Sequence, residues 1–224
     1  MSWDPVWERV FQEQEWGRYP PEELIRFVAR NYYSAPNRQL VRILELGCGP
    51  AANIWYLARE GFDAFGIDGS ETAIAQAERR MSDEGLAANL QIADMVSIDS
   101  LFPAGHFDAV IDIASVQHNN LKAVTAILGQ SLDLLKPEGR IFSMMVSSGS
   151  YGDGMGKEIE PGTFVDVAEG PPLHRRGLGH FFSLEEVQSL YTRFADVQIE
   201  HSARSMNNRQ VWYNHWVIEG VKHS

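Results

Sequence analysis

Three acidic residues each stand at the end of an apolar run in the first half of the chain. Glu45 lies near the end of the first run, Asp68 directly follows the second, and Asp94 directly follows the third. If these runs are parallel strands, their carboxyl ends meet at one edge of a sheet, where open α/β sheets bind ligands. Carboxylates accept hydrogen bonds and attract cations. The spacing therefore predicts a site for a ligand with hydroxyl or amino groups.

A glycine-containing turn, Gly47–Ala52, follows the first run. Its glycines allow a tight turn and a close approach of backbone to ligand. Asp68 comes 21 residues after the first glycine, about where a carboxylate binds ribose in dinucleotide folds. A pyrophosphate disfavours nearby anions, yet Glu45 lies two residues before the turn and residues 43–58 contain no lysine or arginine. The turn therefore favours a ligand with a cationic end over a nicotinamide dinucleotide.

The composition is that of an ordinary globular protein, because 44% of the 224 residues are hydrophobic and 22% are charged. The single cysteine, Cys48, excludes an intrachain disulfide and favours a cytoplasmic location. A net charge of −11 disfavours nucleic acid and anionic lipid as partners, and no apolar run is long enough to span a membrane. We expect a monomer or homodimer that acts on a small molecule.

Strands alternate with helices through most of the chain, which predicts βαβ units and a parallel sheet with helices on both faces. The two β-like runs near the end are joined by a short polar link, so the last strand is expected to be antiparallel. We expect helices at 4–15, 20–32, 52–60, 70–84, 121–135 and 183–193, and strands at 40–46, 62–67, 90–93, 107–113, 140–146, 195–202 and 210–221.

The predicted organisation is one domain in four segments. These are an N-terminal helical cap (1–38), a cofactor-binding core (40–147), a glycine-rich insert (148–181) and a C-terminal helix with a hairpin (182–224). The insert is too long for an ordinary connection, and eight of its 34 residues are glycine. We expect it to serve as a lid or substrate loop, with a mobile surface loop as the alternative.

Five motifs occur in register along the core. They are Ile43-Leu-Glu-Leu-Gly-Cys-Gly49, Gly66-Ile-Asp-Gly-Ser70, Ala93-Asp-Met95, Phe107-Asp-Ala-Val-Ile-Asp112 and Leu135-Lys-Pro-Glu-Gly-Arg140. In this arrangement the chain resembles the class I S-adenosylmethionine-dependent methyltransferases, in their small-molecule branch. The resemblance implies a Rossmann-like sheet of seven strands, mostly parallel with the last antiparallel. It also implies S-adenosylmethionine as cofactor and in-line methyl transfer to an oxygen, nitrogen or carbon atom of a small acceptor.

The resemblance also assigns cofactor contacts to residues of this chain. Gly47, Cys48 and Gly49 would pass under the methionine part of the cofactor, and Glu45 would lie near its ammonium group. Asp68 and Gly69 would contact the ribose, and Asp94 and Met95 would contact the adenine. Asp112 would face the methionine end or the methyl group. Asn53 would either contact the cofactor carboxylate or cap its helix. Trp16 and Tyr19 would either cover the methionine end or anchor the next helix, whereas Trp3 and Trp7 are expected only to pack.

His118 follows the fourth strand and is the candidate general base, because histidine titrates near neutral pH. A cofactor or substrate contact and a structural role are its alternatives. Candidate substrate contacts in the insert are Tyr151, His174, Arg175, Arg176 and His180. The arginines suit a carboxylate or phosphate, although a solvated basic turn fits equally well. No metal site is predicted.

Two other functions compete with methyl transfer. One is a binding module that holds the same cofactor but has lost transfer, and the other is an NAD-dependent oxidoreductase. Formation of S-adenosylhomocysteine would discard the first, and binding of NAD without S-adenosylhomocysteine would favour the second.

Overall fold

The computed structural model describes residues 3–170 and 173–223. Their helices are α1 (Val6–Glu13), α2 (Glu22–Tyr32), α3 (Ala52–Arg59), α4 (Glu71–Asp83), α5 (Leu121–Leu134) and α6 (Leu184–Leu190). The strands are β1 (Arg42–Leu46), β2 (Asp63–Asp68), β3 (Asn89–Ile92), β4 (Phe107–Ile113), β5 (Leu135–Val146), β6 (Lys157–Glu160), β7 (Thr163–Val165), β8 (Gly179–His180), β9 (Ala195–Met206) and β10 (Val211–Val221).

The main sheet has seven strands in the order β3-β2-β1-β4-β5-β10-β9. Strands β1 to β5 pair in parallel, whereas β10 is antiparallel to both of its neighbours. A tight turn joins β9 to β10, and three successive residues in it, Asn207, Asn208 and Arg209, have positive φ. The Rossmann-like sheet with a reversed strand, predicted from the sequence, is confirmed.

Both faces of the sheet are covered, and a separate apolar core lies on each. Helices α5 and α6 pack on one face, where Phe107, Ile127 and Tyr191 are fully buried. Helices α2, α3 and α4 cover the other, where the rings of Phe27 and Phe142 stack at 4.8 Å. The apolar run of β4 is buried on both sides, as parallel strands in this architecture are. The two layers fix the strand ends that carry the acidic residues.

The N-terminal cap is held against the core by side chains of α1 and α4. Asp4 accepts a hydrogen bond from the backbone N–H of Val6 at 2.9 Å and so caps α1. Glu8 accepts hydrogen bonds from the hydroxyls of Ser70 and Thr72 at the start of α4. Gln76 of α4 donates to the carbonyl of Phe11 at 2.9 Å. These contacts set α1 across the carboxyl ends of the central strands.

The insert differs most from its expected form, because it is folded rather than a plain loop. Strands β6, β7 and β8 form a three-stranded antiparallel sheet, and Phe164, Val167 and Leu173 pack in a small core with Val146 and Phe181. Its strands are two to four residues long, which is too short for alternating hydrophobicity to register.

Two boundaries of the main elements also differ from expectation. Strand β5 begins at Leu135, directly after α5, so the predicted stop at Lys136–Gly139 is already extended backbone. Strand β9 runs on to Met206, which shortens the link to β10. Within residues 3–170 and 173–223, no helix combines the length and apolar character that a membrane crossing requires.

Candidate functional site

A cavity of about 210 Å³ lies where the carboxyl ends of β1, β2 and β4 meet the N-terminal cap. Predicted cofactor residues line it: Glu45, Gly47, Cys48, Gly49, Asn53, Asp68, Gly69, Asp94, Met95, Trp16 and Tyr19. His118 lines it too, together with Ser115 and Asn119, which the sequence did not single out. The folded chain thus brings together most residues that were proposed from four separate stretches of sequence.

The turn after β1 forms the floor of the cavity in a left-handed backbone conformation. Gly47 has φ +63° and Gly49 has φ +50°. A Cβ on Gly47 would come within 2.6 Å of the Cβ of Ser115. Ala51 adopts φ +64° although it carries a side chain. A side chain at position 47 would therefore clash with Ser115, whereas at position 49 the positive φ is what favours glycine.

Glu45 is a buried carboxylate with an incomplete set of partners. Its Oε1 accepts a hydrogen bond from Nδ2 of Asn53 at 2.5 Å. Within the described residues, neither Glu45 Oε2 nor Asn53 Oδ1 has a hydrogen-bond partner, although both atoms are buried. Burial, opposed by the Asn53 bond, raises the pKa of Glu45 well above its usual value, and the charges of Asp112 and Asp68 add to this. A ligand with a positively charged donor group would satisfy both atoms, and its charge would favour the ionised form of Glu45 that burial disfavours.

Asp68 joins two turns at the cavity wall. Its Oδ2 accepts from the N–H of Gly49 and its Oδ1 accepts from the N–H of Ser70, each at 2.9 Å. Burial raises the pKa of Asp68, and these backbone bonds oppose that rise. A carboxylate has about four acceptor positions, so two remain for a ligand with paired hydroxyls. Ser70 accepts from the N–H of Ala73 and caps α4, so capping does not require Asp68.

The third acidic strand end lies at the far side of the cavity. Oδ1 of Asp94 accepts from the N–H of Val96 at 3.1 Å and starts a 3₁₀ turn. The Met95 side chain is held there by Asn119, whose Nδ2 lies 3.6 Å from its sulfur. An apolar side chain beside a carboxylate suits a flat ring with an exocyclic amino group.

Asp112 was predicted to face the methionine end or the methyl group of the cofactor, but its side chain lies elsewhere. It does not line the cavity and is only 1% exposed. Its Oδ1 accepts from the N–H groups of Ser115 and Val116 at 3.0 and 2.9 Å, which fixes the turn that follows β4. Burial raises the pKa of Asp112 to about 6. The sequence places this residue at a strand end correctly, but its side chain turns toward its own backbone.

We expect Asp112→Asn to become more stable relative to the wild type as the pH rises. A carboxyl group with a raised folded-state pKa contributes stability below the unfolded pKa and loses it as the pH rises through about 6. The variant has no charge to bury, so the difference in unfolding free energy should shift in its favour by about 2 kcal/mol between roughly pH 4 and pH 8. Urea unfolding across that range measures the shift.

The control for this comparison is Asp83→Asn, which removes an exposed carboxylate at the end of α4. Its difference from the wild type should stay nearly constant with pH. A parallel shift in both variants would show that the effect comes from overall charge and not from the burial of Asp112.

Aromatic side chains of the cap form the roof of the cavity. Trp7 packs against Phe11 and Trp16 with ring centroids 5.8 and 6.0 Å apart, and the Trp3 ring lies directly over Gly69. Trp3, Trp7 and Phe11 line the cavity, so the expectation that the two tryptophans only pack was too narrow. Tyr19 is 72% exposed at the rim. No local pattern distinguishes a tryptophan that packs on a core from one that packs over a cavity.

His118 lies beneath Trp7, with the two rings in an edge contact at 4.5 Å. Its Nδ1 pairs with the carbonyl of Leu178 at 3.1 Å, so Nδ1 carries the hydrogen and Nε2 is left as an acceptor. Nε2 is buried and has no partner among the described residues. Burial lowers the pKa of His118 to about 3. The ring is therefore neutral near pH 7, which suits it to accept a hydrogen bond more than to hold a proton.

The predicted substrate residues of the insert fall into separate places. His174, Arg175 and Arg176 line a shallow depression beside the cap. His180 is fully buried, where Nδ1 pairs with the hydroxyl of Thr163 at 2.6 Å, so it holds the insert together and is removed from any acceptor. Tyr151 lines neither cavity nor depression, and its hydroxyl donates to Glu169 at 2.7 Å.

Comparison with known proteins adds an independent test of the fold and of the predicted methyltransferase domain. Residues 43–139 match the methyltransferase-domain family. An uncharacterized methyltransferase of Schizosaccharomyces pombe is 37% identical over 89 residues, which are 38% of this chain and 60% of that protein. A ubiquinone biosynthesis O-methyltransferase of Rhodopseudomonas palustris is 33% identical over 99 residues, which are 44% and 37% of the two chains. The chain thus matches less than two thirds of the length of either relative.

A solved structure extends the similarity to most of the chain. The SAM-dependent methyltransferase of Methanosarcina mazei superimposes with a TM-score of 0.67 at 23% identity, covering 81% of this chain and 92% of that one. The sheet order and these matches show the fold of the class I S-adenosylmethionine-dependent methyltransferases. The prediction of a methyltransferase domain that uses S-adenosylmethionine is confirmed.

Proposed function

We propose that the protein transfers a methyl group from S-adenosylmethionine to a small-molecule acceptor. The observation that carries the proposal is the set of buried, partly unpartnered acceptors of Glu45 and Asn53 at the cavity wall. A ligand with an ammonium group satisfies them, whereas a pyrophosphate would be repelled. The same observation disfavours the NAD-dependent alternative.

Each part of the cofactor has a matching group in the cavity. Glu45 and Asn53 would hold the amino acid end, and the free acceptor positions of Asp68 would take the ribose hydroxyls. Asp94 and Met95 would take the adenine. S-adenosylmethionine supplies, when bound, a methyl group on a sulfonium that is already a strong electrophile. The chain then has to align an acceptor and exclude water, for which the Trp3, Trp7 and Trp16 roof is suited.

His118 would position the acceptor rather than remove its proton. His118 lines the cavity, its Nε2 is a buried acceptor with no partner among the described residues, and its ring stays neutral because burial lowers its pKa to about 3. A hydrogen bond from an acceptor hydroxyl or amine to Nε2 would fix the direction of the nucleophile. Ser115 and Asn119 lie on the same wall and complete its polar part.

A product assay tests the proposed function. The protein is incubated with S-adenosylmethionine and panels of hydroxyl, amine and carbon acceptors, and S-adenosylhomocysteine is quantified against a reaction without acceptor. We expect formation that depends on the acceptor. S-adenosylhomocysteine binding without turnover on any panel would support the inactive binding module instead.

We expect His118→Gln to lower kcat by about tenfold or more, because a mispositioned acceptor loses near-attack geometry. The dissociation constant of S-adenosylhomocysteine should stay within about threefold of the wild-type value, since His118 is assigned to the acceptor. Steady-state kinetics and calorimetry measure the two effects separately.

The pH–rate profile distinguishes this role from general base catalysis. A histidine with a pKa of about 3 gives no limb near neutral pH, so any limb seen there should persist in the variant. A limb near pH 6.5 that disappears in His118→Gln would restore the general base. An equal loss of cofactor binding and turnover would instead make His118 a cofactor contact.

A further inference from the structure

Arg176 is a half-buried cation that lacks an anionic partner. The chain carries 30 aspartates and glutamates against 19 lysines and arginines, and within the described residues seven of those 19 lie within 4 Å of a carboxylate. Among the residues that the structure describes, no carboxylate lies within ion-pairing distance of Arg176. Its guanidinium lies instead over two aromatic rings, 5.0 Å from the centroid of Trp16 and 5.8 Å from that of Trp7. An arginine left without a carboxylate in so acidic a protein is available to an anion from outside.

The surroundings of Arg176 form a recess and not a flat surface. The depression that it lines also contains Gln14, His174 and Arg175. Glu169 is the one acid among its described lining residues, and that carboxylate already accepts a hydrogen bond from Tyr151 at 2.7 Å. The recess is therefore locally basic, against the net charge of the whole chain.

Arg176 is also close to the proposed site of methyl transfer. The Trp7 ring that it covers packs on the His118 ring at 4.5 Å. These two centroid distances place the guanidinium within about 10 Å of the imidazole. Trp7 and Trp16 both line the cavity and both contact the Arg176 guanidinium. An acceptor that spans the two points would lie against indole rings along its length.

Tyr213 of β10 lies close enough to Arg176 for the charge of one to affect the other, although it does not line the recess. Burial raises the pKa of Tyr213 to about 12, and the neighbouring charge of Arg176 opposes that rise. The phenol is therefore a neutral donor near pH 7. The planar guanidinium by itself matches the geometry of a carboxylate or phosphate.

We propose that Arg176 anchors an anionic group of the methyl acceptor, so that the substrate class is a small organic oxyanion with a flat apolar body. The anion binds at the Arg176 guanidinium. The body lies against Trp7 and Trp16, and the reacting atom reaches the cavity near His118. This inference rests on the proposed function, because it assigns the acceptor of that reaction.

The test uses matched anionic and neutral aromatic probes with the protein saturated in S-adenosylhomocysteine. Benzoate and phenyl phosphate are compared with benzamide and benzyl alcohol, and binding is followed by quenching of tryptophan fluorescence and by saturation-transfer NMR. We expect the wild type to bind the anions more tightly than their neutral partners. The carboxylate and phosphate arms identify which oxyanion the recess prefers.

Arg176→Gln should weaken binding of the anions at least tenfold and leave the neutral probes unchanged. The affinity of Arg176→Lys for the anions should lie between those of the wild type and Arg176→Gln, because lysine keeps the charge but lacks the planar guanidinium. The matched control is Arg9→Gln, which removes the same charge from an exposed position of α1 that lines neither the recess nor the cavity. It should remain within about threefold of the wild type.

Three results would overturn the inference: no anion binds the wild type, the anions and neutral probes bind equally, or Arg176→Gln binds the anions as the wild type does. Calorimetry with S-adenosylhomocysteine is run on every variant. Failure of that binding would contradict the proposed function itself, whereas intact binding with an unaffected Arg176→Gln variant would contradict the anion anchor alone.

Discussion

Asp68→Ala should weaken the binding of S-adenosylhomocysteine by about a hundredfold, which corresponds to about 3 kcal/mol. Hydrogen bonds to a charged group contribute about 1.5–3 kcal/mol each, and alanine removes both acceptors assigned to the ribose. It also releases the N–H groups of Gly49 and Ser70, which Asp68 holds at 2.9 Å. Isothermal titration calorimetry measures the change.

The control is Asp63→Ala in the same strand. Asp63 begins β2, away from the cavity, where it lies 3.6 Å from Arg42. It should bind S-adenosylhomocysteine as the wild type does. Circular dichroism on both variants checks that the fold is retained.

A ligand comparison separates the ribose contact from the loss of turn geometry. The 2′-deoxy analogue of S-adenosylhomocysteine should bind the wild type less tightly, and this difference should vanish in Asp68→Ala, as a double-mutant cycle requires. A difference that persists in the variant would mean that Asp68 shapes the turn without touching the ribose. An unchanged dissociation constant would refute the assignment altogether.

Gly47→Ala should be the most damaging single change in the first turn. Gly47 has φ +63°, where a side chain costs about 1–2 kcal/mol. The added Cβ would also approach the Cβ of Ser115 to 2.6 Å, and forcing such contacts costs about 1–3 kcal/mol more. Ser115 is not free to move, because its hydroxyl donates to the carbonyl of Leu46 at 2.7 Å. We expect a loss of about 3 kcal/mol in unfolding free energy, together with weaker cofactor binding.

Gly61→Ala separates backbone strain from the clash. Gly61 ends α3 with φ +87°, and an added Cβ would meet nothing within 4 Å. Its substitution should therefore cost about 1 kcal/mol, the strain alone. The double variant Gly47→Ala/Ser115→Gly should recover part of the loss, since it removes the atoms that clash. Equal losses in Gly47→Ala and Gly61→Ala, with no rescue, would show that the contact with Ser115 is unimportant.

The positions of the acidic residues in the sheet could be predicted from the sequence, because the carboxyl ends of parallel strands lie at one edge. Glu45, Asp68 and Asp94 end three strands, and adjacent strands must bring those ends together. The direction of each side chain is a separate matter. Asp112 ends a strand as well, but two backbone N–H groups draw its carboxylate away from the cavity. Local hydrogen bonds of this kind leave no trace in hydrophobic periodicity.

The parts of the site that come from distant segments were harder to predict. Trp3 and Trp7 lie over the cavity because Glu8 ties α1 to the start of α4, a contact across more than 60 residues. His180 and Arg176 lie four residues apart, yet one is buried in the insert and the other faces the cap. The insert is rich in glycine and its strands are only two to four residues long. Its sequence therefore has no hydrophobic periodicity from which the directions of these side chains could be predicted.

The most direct test of the central claim is a calorimetric titration of the wild-type protein with S-adenosylhomocysteine and, separately, with NAD. The acidic cavity predicts one S-adenosylhomocysteine bound per chain at about micromolar concentration, and no binding of NAD in the same range. Binding of NAD without S-adenosylhomocysteine would contradict the assignment of Glu45, Asn53 and Asp68 to a cationic nucleoside cofactor.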